Sequence, residues 1–177
     1  MQRSLSAVIL LLLAIAAPAR ATTIIPADFT EMVAGSQLIV HGAVIDVRSQ
    51  LTAGARTIES VITIAVASAL KGQSASTVVL RVPGGQVGRY RRVMVGAPEF
   101  VEGEEVVLFL TGHAPAMPMP FGLNQGVYRV VRRSGRALVT PLVASSAGRV
   151  VRGDPARRPV GFDDFAAQVR TLVERER

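Results

Sequence analysis

The sequence predicts a mainly β fold, a small closed or nearly closed barrel with a short helix before it and an amphipathic helix after it. Three observations carry this prediction. Several runs alternate apolar and polar residues with a period of two, the pattern of strands that bury one face. Turn signals such as Pro83-Gly84-Gly85 and Ser134-Gly135 separate those runs. Helical spacing is confined to the two flanks of the alternating region.

The first 21 residues read as a secretory signal. Arg3 gives a positive start, residues 7–17 are an unbroken apolar run, and Ala19-Arg20-Ala21 supplies small residues where a signal peptidase reads. Cleavage there leaves a mature chain that begins at Thr22. The run is shorter than the roughly 20 residues of a membrane span, and no cysteine follows it to carry a lipid. The expected layout is a signal at 1–21 and one domain at 22–177.

Asp28 opens the domain as a helix N-cap, with Glu31 three residues on to complete a capping box. Phe29, Met32 and Val33 share one face, and Gly35 ends this short helix. Strands follow at 37–47 and 57–70. In the second, Ile58, Ile62, Ile64, Val66 and Leu70 point one way and Thr57, Glu59, Thr63 and Ala65 the other. Lys71-Gly72 breaks this strand, and residues 77–82 resume with Val78, Leu80 and Val82 inward. The basic stretch Arg89-Tyr90-Arg91-Arg92 then leads into Val93-Met94-Val95. Residues 104–110 alternate Val106, Leu108 and Leu110 with Val107 and Phe109, and the proline-rich 113–121 reads as irregular. A hairpin at 127–132 and 136–140 crosses Ser134-Gly135. One short strand is expected at 149–151 within a polar, turn-rich stretch. A final helix over 162–176 carries the stripe Phe162, Phe165, Ala166, Val169, Leu172 and Val173. Acids in its first turn and arginines in its last suit the helix dipole.

Removing the first 21 of 177 residues leaves 156, enough to bury about 70% of the unfolded surface in one core. With no cysteine, the chain has no disulfide, thiol nucleophile or thiolate metal site. Without Arg3 and Arg20, the 20 basic residues fall to 18 against 13 acidic ones, a net charge of +5. Lys71 is the sole lysine. The positive balance permits a polyanionic partner without demanding one. Few aromatic residues and no tryptophan argue against base or sugar stacking, and export argues against a nucleic-acid partner.

The succession of segments resembles bacterial secreted proteins of unknown function. The likeness is carried by Gln37-Leu38-Ile39-Val40-His41-Gly42-Ala43-Val44, by Val66-Ala67-Ser68-Ala69-Leu70-Lys71-Gly72, by Val82-Pro83-Gly84-Gly85, by Gly96-Ala97-Pro98-Glu99-Phe100, and by Gly103-Glu104-Glu105-Val106-Val107-Leu108-Phe109-Leu110. It spans roughly residues 28–132. The same order is distantly similar to the netrin-like, OB-fold domain of tissue inhibitors of metalloproteinases, where a strand ending in Lys-Gly and a late strand like Leu108-Phe109-Leu110-Thr111-Gly112 recur. This resemblance implies an OB-like small β-barrel and a secreted protease as a candidate partner. Those inhibitors chelate the protease zinc through an N-terminal cysteine. This chain has none, so zinc-chelating inhibition is not implied.

No motif for catalysis emerges. There is no His-Glu-x-x-His, no Gly-x-Ser-x-Gly elbow and no phosphate loop. Gly84, Gly85 and Gly88 follow a strand but precede no helix, which the dinucleotide fingerprint requires. His41 falls on the face of Ile39, Ala43 and Ile45, where a histidine is ordinarily a hydrogen-bonded core or rim residue. Two sets of residues stand out as candidate sites. Arg89, Arg91 and Arg92 could join Arg132, Arg133 and Arg136 in one basic surface for phosphate or sulfated glycan, with Glu99, Glu102, Glu104 and Glu105 available to neutralise part of it. His113, Met117 and Met119 supply an imidazole and two thioethers, a donor set suited to Cu(I). The expectation is therefore an exported, non-catalytic binding module without a cofactor. Its expected partner is an extracellular or envelope protein; polyanion binding and Cu(I) binding are the alternatives.

Overall fold

The computed structural model describes residues 27–52, 54, 57–112, 115–142 and 158–176. The expected signal, the Thr22 terminus, His113 and the expected strand at 149–151 lie outside the described residues.

Helix α1 (Phe29–Gly35) starts where the capping box places it. Glu31 N–H donates to Asp28 Oδ1 at 2.7 Å, and Asp28 N–H donates to Glu31 Oε2 at 3.0 Å. Phe29, Met32 and Val33 are all buried. The far end of so short a helix leaves carbonyls without intrahelical partners. Ser36 Oγ donates to Met32 O at 2.7 Å. Lys71 Nζ donates to Val33 O at 2.7 Å and to Ala34 O at 3.4 Å, and also pairs with Glu176 at 2.8 Å. The sole lysine thus ties both helices to a strand end. Lys71→Met is expected to lower stability by about 1 kcal/mol, since it leaves Val33 O with only the 3.4 Å bond from Ser36 N–H and removes the pairing of Glu176. Urea unfolding checks it, and an unchanged midpoint would refute the role.

The strands are β1 (Leu38–Leu51), β2 (Ile58–Lys71), β3 (Thr77–Pro83), β4 (Gly85–Val87), β5 (Tyr90–Arg92), β6 (Glu105–Thr111), β7 (Met119–Pro120), β8 (Val127–Arg133), β9 (Arg136–Pro141) and β10 (Val160–Gly161). Helix α2 (Phe162–Arg175) follows. One antiparallel sheet runs β10-β9-β8-β6-β1-β2-β3, with β7 paired to β6, while β4 and β5 form a separate ribbon. The fold is mainly β, with one short and one C-terminal helix, as the alternation predicts. The β8–β9 turn has positive φ at both Ser134 (48°) and Gly135 (77°), the geometry of a tight hairpin.

Two predicted details are corrected. Residues 113–121 are not wholly irregular, because Met119–Pro120 pairs with Leu110 and Thr111. A proline is tolerated in so short a pairing, where it displaces no ladder hydrogen bond of a central strand. Leu70 does not share a core with Ile58–Val66. The β1–β2 register skips Ala67 and Leu70 on β2 and Ile45 on β1, and such bulges bend and twist a strand pair. Leu70 therefore packs under the helices, while Ile62 and Ile64 pack on the opposite face of the sheet.

The sheet consequently has a core on each face. One lies beneath α1 and α2 and contains Phe29, Ile39, Phe109, Tyr128, Phe165 and Val169. The other lies inside the curl of the sheet and contains Val44, Ile62, Leu80, Val82, Phe100 and Leu108. Strand β6 is central to both, so Val106 through Leu110 are buried without a break. The edge of β3 meets the β7 connector through one backbone bond, Arg81 N–H to Pro118 O at 3.0 Å. No helix among the described residues is long and apolar enough to cross a membrane.

Candidate binding groove

The chain leaves β3 at Pro83 and turns back through Gly84 and Gly85, whose φ angles of 99° and 134° favour glycine. Gly85 has a second reason to lack a side chain, because a Cβ there would run into both Ser49 Oγ and Ser60 Oγ. These hydroxyls form a directed relay. Ser60 Oγ donates to Gly84 O at 2.9 Å, so Ser49 is the donor of the 3.1 Å bond between the two hydroxyls. Ser49 Oγ in turn accepts from Gln86 N–H at 3.1 Å. The relay fastens the β4–β5 ribbon to β1 and β2.

The ribbon closes through Gly88 and Arg89, with φ of 56° at Gly88, as a two-residue turn with glycine at its first central position requires. Beyond β5 the chain makes two further turns. Ala97 N–H donates to Met94 O at 3.1 Å across Gly96 (φ 84°), and Glu104 N–H donates to Val101 O at 3.2 Å across Gly103 (φ 85°). Positive φ at the third residue is the signature of a type II turn. Between the turns, Phe100 is buried in the inner core and anchors the loop. Val95 is left at a turn tip, 90% exposed, beside Val93 at 70%, Tyr90 at 62% and Val101 at 61%.

An open groove of about 430 Å³ lies between the ribbon, this loop and the adjoining ends of β2 and β3. Ser60, Ile62 and Val82 contribute to its lining from the strands, Met94 and Phe100 from the loop, and Arg92 from the ribbon. Of the exposed apolar side chains, Val93 and Val101 line this groove, and exposed apolar surface at a concavity marks interaction sites more often than scattered residues do.

The arginines divide between the groove and the far hairpin. Arg89 Nη2 donates to the Tyr90 hydroxyl at 2.9 Å, and its guanidinium lies 5.1 Å from the Tyr90 ring centre. Arg91 and Arg92 line the groove. Arg91 pairs with Glu99 at 3.5 Å, an exposed and therefore weak contact. On β8, Arg129 Nη2 donates to Glu99 O and pairs with Glu104, both at 3.3 Å. Arg132 grips Glu105 with two bonds, from Nε at 3.1 Å and Nη2 at 2.8 Å. Glu99, Glu104 and Glu105 therefore alternate with arginines along this stretch. Among the described residues, Arg92, Arg133 and Arg136 are exposed and form no ion pair.

His41 belongs to the other face. Its Nε2–H donates to Glu105 Oε1 at 2.8 Å, and its ring lies 4.4 Å from that of Phe162 at the start of α2. The described residues hold no cluster of three or more His, Cys, Asp or Glu side chains fit for a metal. Burial alone raises the Glu105 carboxyl, but hydrogen bonds and charge from Arg132 and His41 outweigh it and hold the group below its ordinary value. A carboxylate with a lowered folded pKa stabilises above its unfolded pKa of about 4.3, and that stabilisation is lost as pH falls through the folded value. Glu105→Gln is thus expected to destabilise most near neutral pH, and the gap to the parent should shrink as pH drops below about 4. Urea unfolding at about pH 7 and about pH 3 measures this, and an equal gap at both would contradict it.

Of the soft-metal candidates, Met117 and Met119 are half-buried, and Met119 O accepts from the Thr111 hydroxyl at 3.3 Å. His113 lies outside the described residues. Sequence reasoning missed the seryl relay and the display of Val93, Met94 and Val95. The available signal was an apolar triplet running straight into Gly96-Ala97-Pro98, with too few residues between turn signals to make a strand. No protein-family model, no curated protein and no solved structure matches this chain.

Proposed function

We propose that this chain is an exported, non-catalytic binding module that docks the groove and its rim onto an extracellular or envelope protein. In this reading β1, β2, β3, β6 and β7 make up an OB-like barrel, and the groove is its mouth. The Arg81–Pro118 bond between the β3 edge and the β7 connector supports that curvature, as does the distant netrin-like resemblance. A secreted protease is the specific partner that the resemblance brings forward.

The observation that carries the proposal is the exposure of Val93 and Val101 where they line a groove of mixed apolar and polar character that Ser60 also lines. Protein interfaces are enriched in methionine and arginine, and Met94, Arg91 and Arg92 line the same groove. A basic, polyanion-binding surface finds less support. Of the six candidate arginines, Arg132 holds Glu105 and Arg91 weakly holds Glu99, while Arg89, Arg92, Arg133 and Arg136 form no ion pair among the described residues and divide between the ribbon and the β8–β9 hairpin.

Cross-linking capture from the native envelope and secreted fractions tests the reading, comparing the parent with Val93→Ser/Val95→Ser. A dominant protein retained in high salt by the parent and lost from the variant supports docking at the mouth. Equal capture by both, or recovery of anionic polymer alone, overturns it.

A further inference from the structure

We infer that the partner docks by strand addition, supplying an extended segment of alternating apolar and uncharged polar residues that pairs antiparallel with the free edge of β1 at Val47–Leu51. The inference rests on the proposed docking function and names the kind of segment the partner supplies.

The first support is backbone geometry. Along an antiparallel pair, residues that bond across it alternate with residues whose N–H and C=O point away. Thr52 N–H donates to Thr57 O at 2.9 Å, which fixes the phase of the β1–β2 ladder. The register is unbroken from Leu51–Ile58 back to Asp46–Thr63. Gln50 and Arg48 therefore bond to β2, while Leu51, Ser49 and Val47 turn both backbone groups to the opposite edge. The other strand agrees, because Ile58, opposite Leu51, gives its C=O to Gly84 N–H on the far side of β2.

On the opposite edge β6 pairs with β1 as far as Ala43, and Val44 closes onto Glu104 and Gly103. No strand among the described residues covers Val47, Ser49 or Leu51. Alternate residues thus offer donors and acceptors along about 13 Å of edge. Neither proline nor lysine guards this stretch, as they guard many exposed edges. Such an edge is the template for strand addition, in which backbone bonds give affinity and side chains give specificity.

The second support is the side chains. Val47, Ser49 and Leu51 alternate onto one face. Val47 lines the groove beside Ile62, and Leu51 is 61% exposed. Residues directly opposite them on an antiparallel neighbour share that face, so apolar ones cover Leu51 and meet Val47 at the edge of the groove. On the other face Arg48 pairs with Asp46 at 3.0 Å, and Gln50 Nε2 donates to Glu59 at 3.0 Å. No unpaired charge on this stretch of β1 asks for a charged residue opposite.

A second copy of this chain fits the edge poorly. Antiparallel pairing of two β1 edges sets a two-fold axis perpendicular to the sheet, which keeps equivalent faces on the same side. Each Ser49 holds its own β4–β5 ribbon through Gln86 N–H. Both ribbons would then crowd the same side of adjacent strands, whereas a separate extended segment carries none.

The test uses a fluorescent decapeptide that alternates valine with threonine, titrated into the chain from Thr22 onward and followed by anisotropy. It is made in two N-methylated forms. With valines on the face of Val47 and Leu51, their N–H groups are the ones that bond to β1, and those of the threonines point away. The threonine-methylated peptide is expected to bind, and the valine-methylated peptide is not. Leu51→Pro removes one donor from the edge and should weaken binding about fivefold, whereas Leu51→Thr keeps it and should cost about twofold at most. Amide exchange on the parent chain is a second readout. The Val47, Ser49 and Leu51 N–H groups should slow when the peptide binds, and this decides the matter should Leu51→Pro melt below the parent. Equal binding of the two methylated peptides, unchanged exchange at those amides, or no binding up to about 1 mM overturns strand addition. If protein capture still depends on Val93 and Val95 in any of these cases, the docking function stands without it. Slow exchange at the same amides in the peptide-free chain, with dimers in sedimentation velocity, overturns the inference in favour of a second copy.

Discussion

Phe165→Ala is expected to lower stability by about 3–5 kcal/mol and the melting temperature by about 10 °C. Phe165 is 2% exposed at the centre of an aromatic cluster. Its ring centre lies 5.3 Å from Phe29, 5.2 Å from Tyr128 and 6.2 Å from Phe109, in tilted or edge-on arrangements that favour aromatic pairs. The substitution removes the one side chain of α2 that touches α1 and the two strands β6 and β8 through rings. The resulting space cannot be refilled, because its walls belong to three different elements. Leu172→Ala, half-buried at the margin of the same core, should cost less. Calorimetry on both variants measures the ranking, and an unchanged melt for Phe165→Ala would mean that α2 is not docked.

Gly42→Ala is the second large effect, expected at about 1–3 kcal/mol from the addition of a single methyl group. The new Cβ would strike the Ala65 carbonyl oxygen and lie 2.8 Å from Ile64 Cγ2. Backbone cannot swing aside as a flexible side chain can. Ala65 is paired to Ala43 on one side and to Thr77 on the other, so relief requires moving β2 within the sheet. The glycine sits where the β1–β2 register shifts, between His41 and Gly42. A mutant as stable as the parent by urea unfolding would show that the bulge can absorb a methyl group and that the close approach is not a constraint.

Both helices were legible because their signals are local. Asp28 and Glu31 complete a box within one turn, and Phe165, Ala166 and Val169 repeat at helical spacing. The Ser134-Gly135 hairpin was legible for the same reason, since positive φ at adjacent residues is a demand on the residues themselves. The bulges of β2 were not, because a skipped residue leaves the alternation of apolar types intact and changes only which core receives Leu70. The pairing of Met119–Pro120 was hidden by prolines that argue against a strand wherever a ladder bond is needed.

The candidate site divides in the same way. Arg89, Arg91 and Arg92 could be read as a basic cluster from adjacency alone. Their neutralisation was expected from nearby glutamates, but not its form, in which Arg129 joins Glu99 to Glu104 and Arg132 takes Glu105 beside His41. By itself the sequence determined the period of the longer strands, the capping box of α1 and the Ser134-Gly135 turn, because these depend on neighbours within a few residues. Tertiary structure alone decided that Ser49 and Ser60 would meet under Gly85, that Lys71 would cap α1 and pair with Glu176 beyond α2, and that Val93 and Val101 would be exposed along a groove. Each of those contacts joins residues far apart in the chain or depends on how the sheet curls, and curvature is set by packing across two cores rather than by any local run of residues.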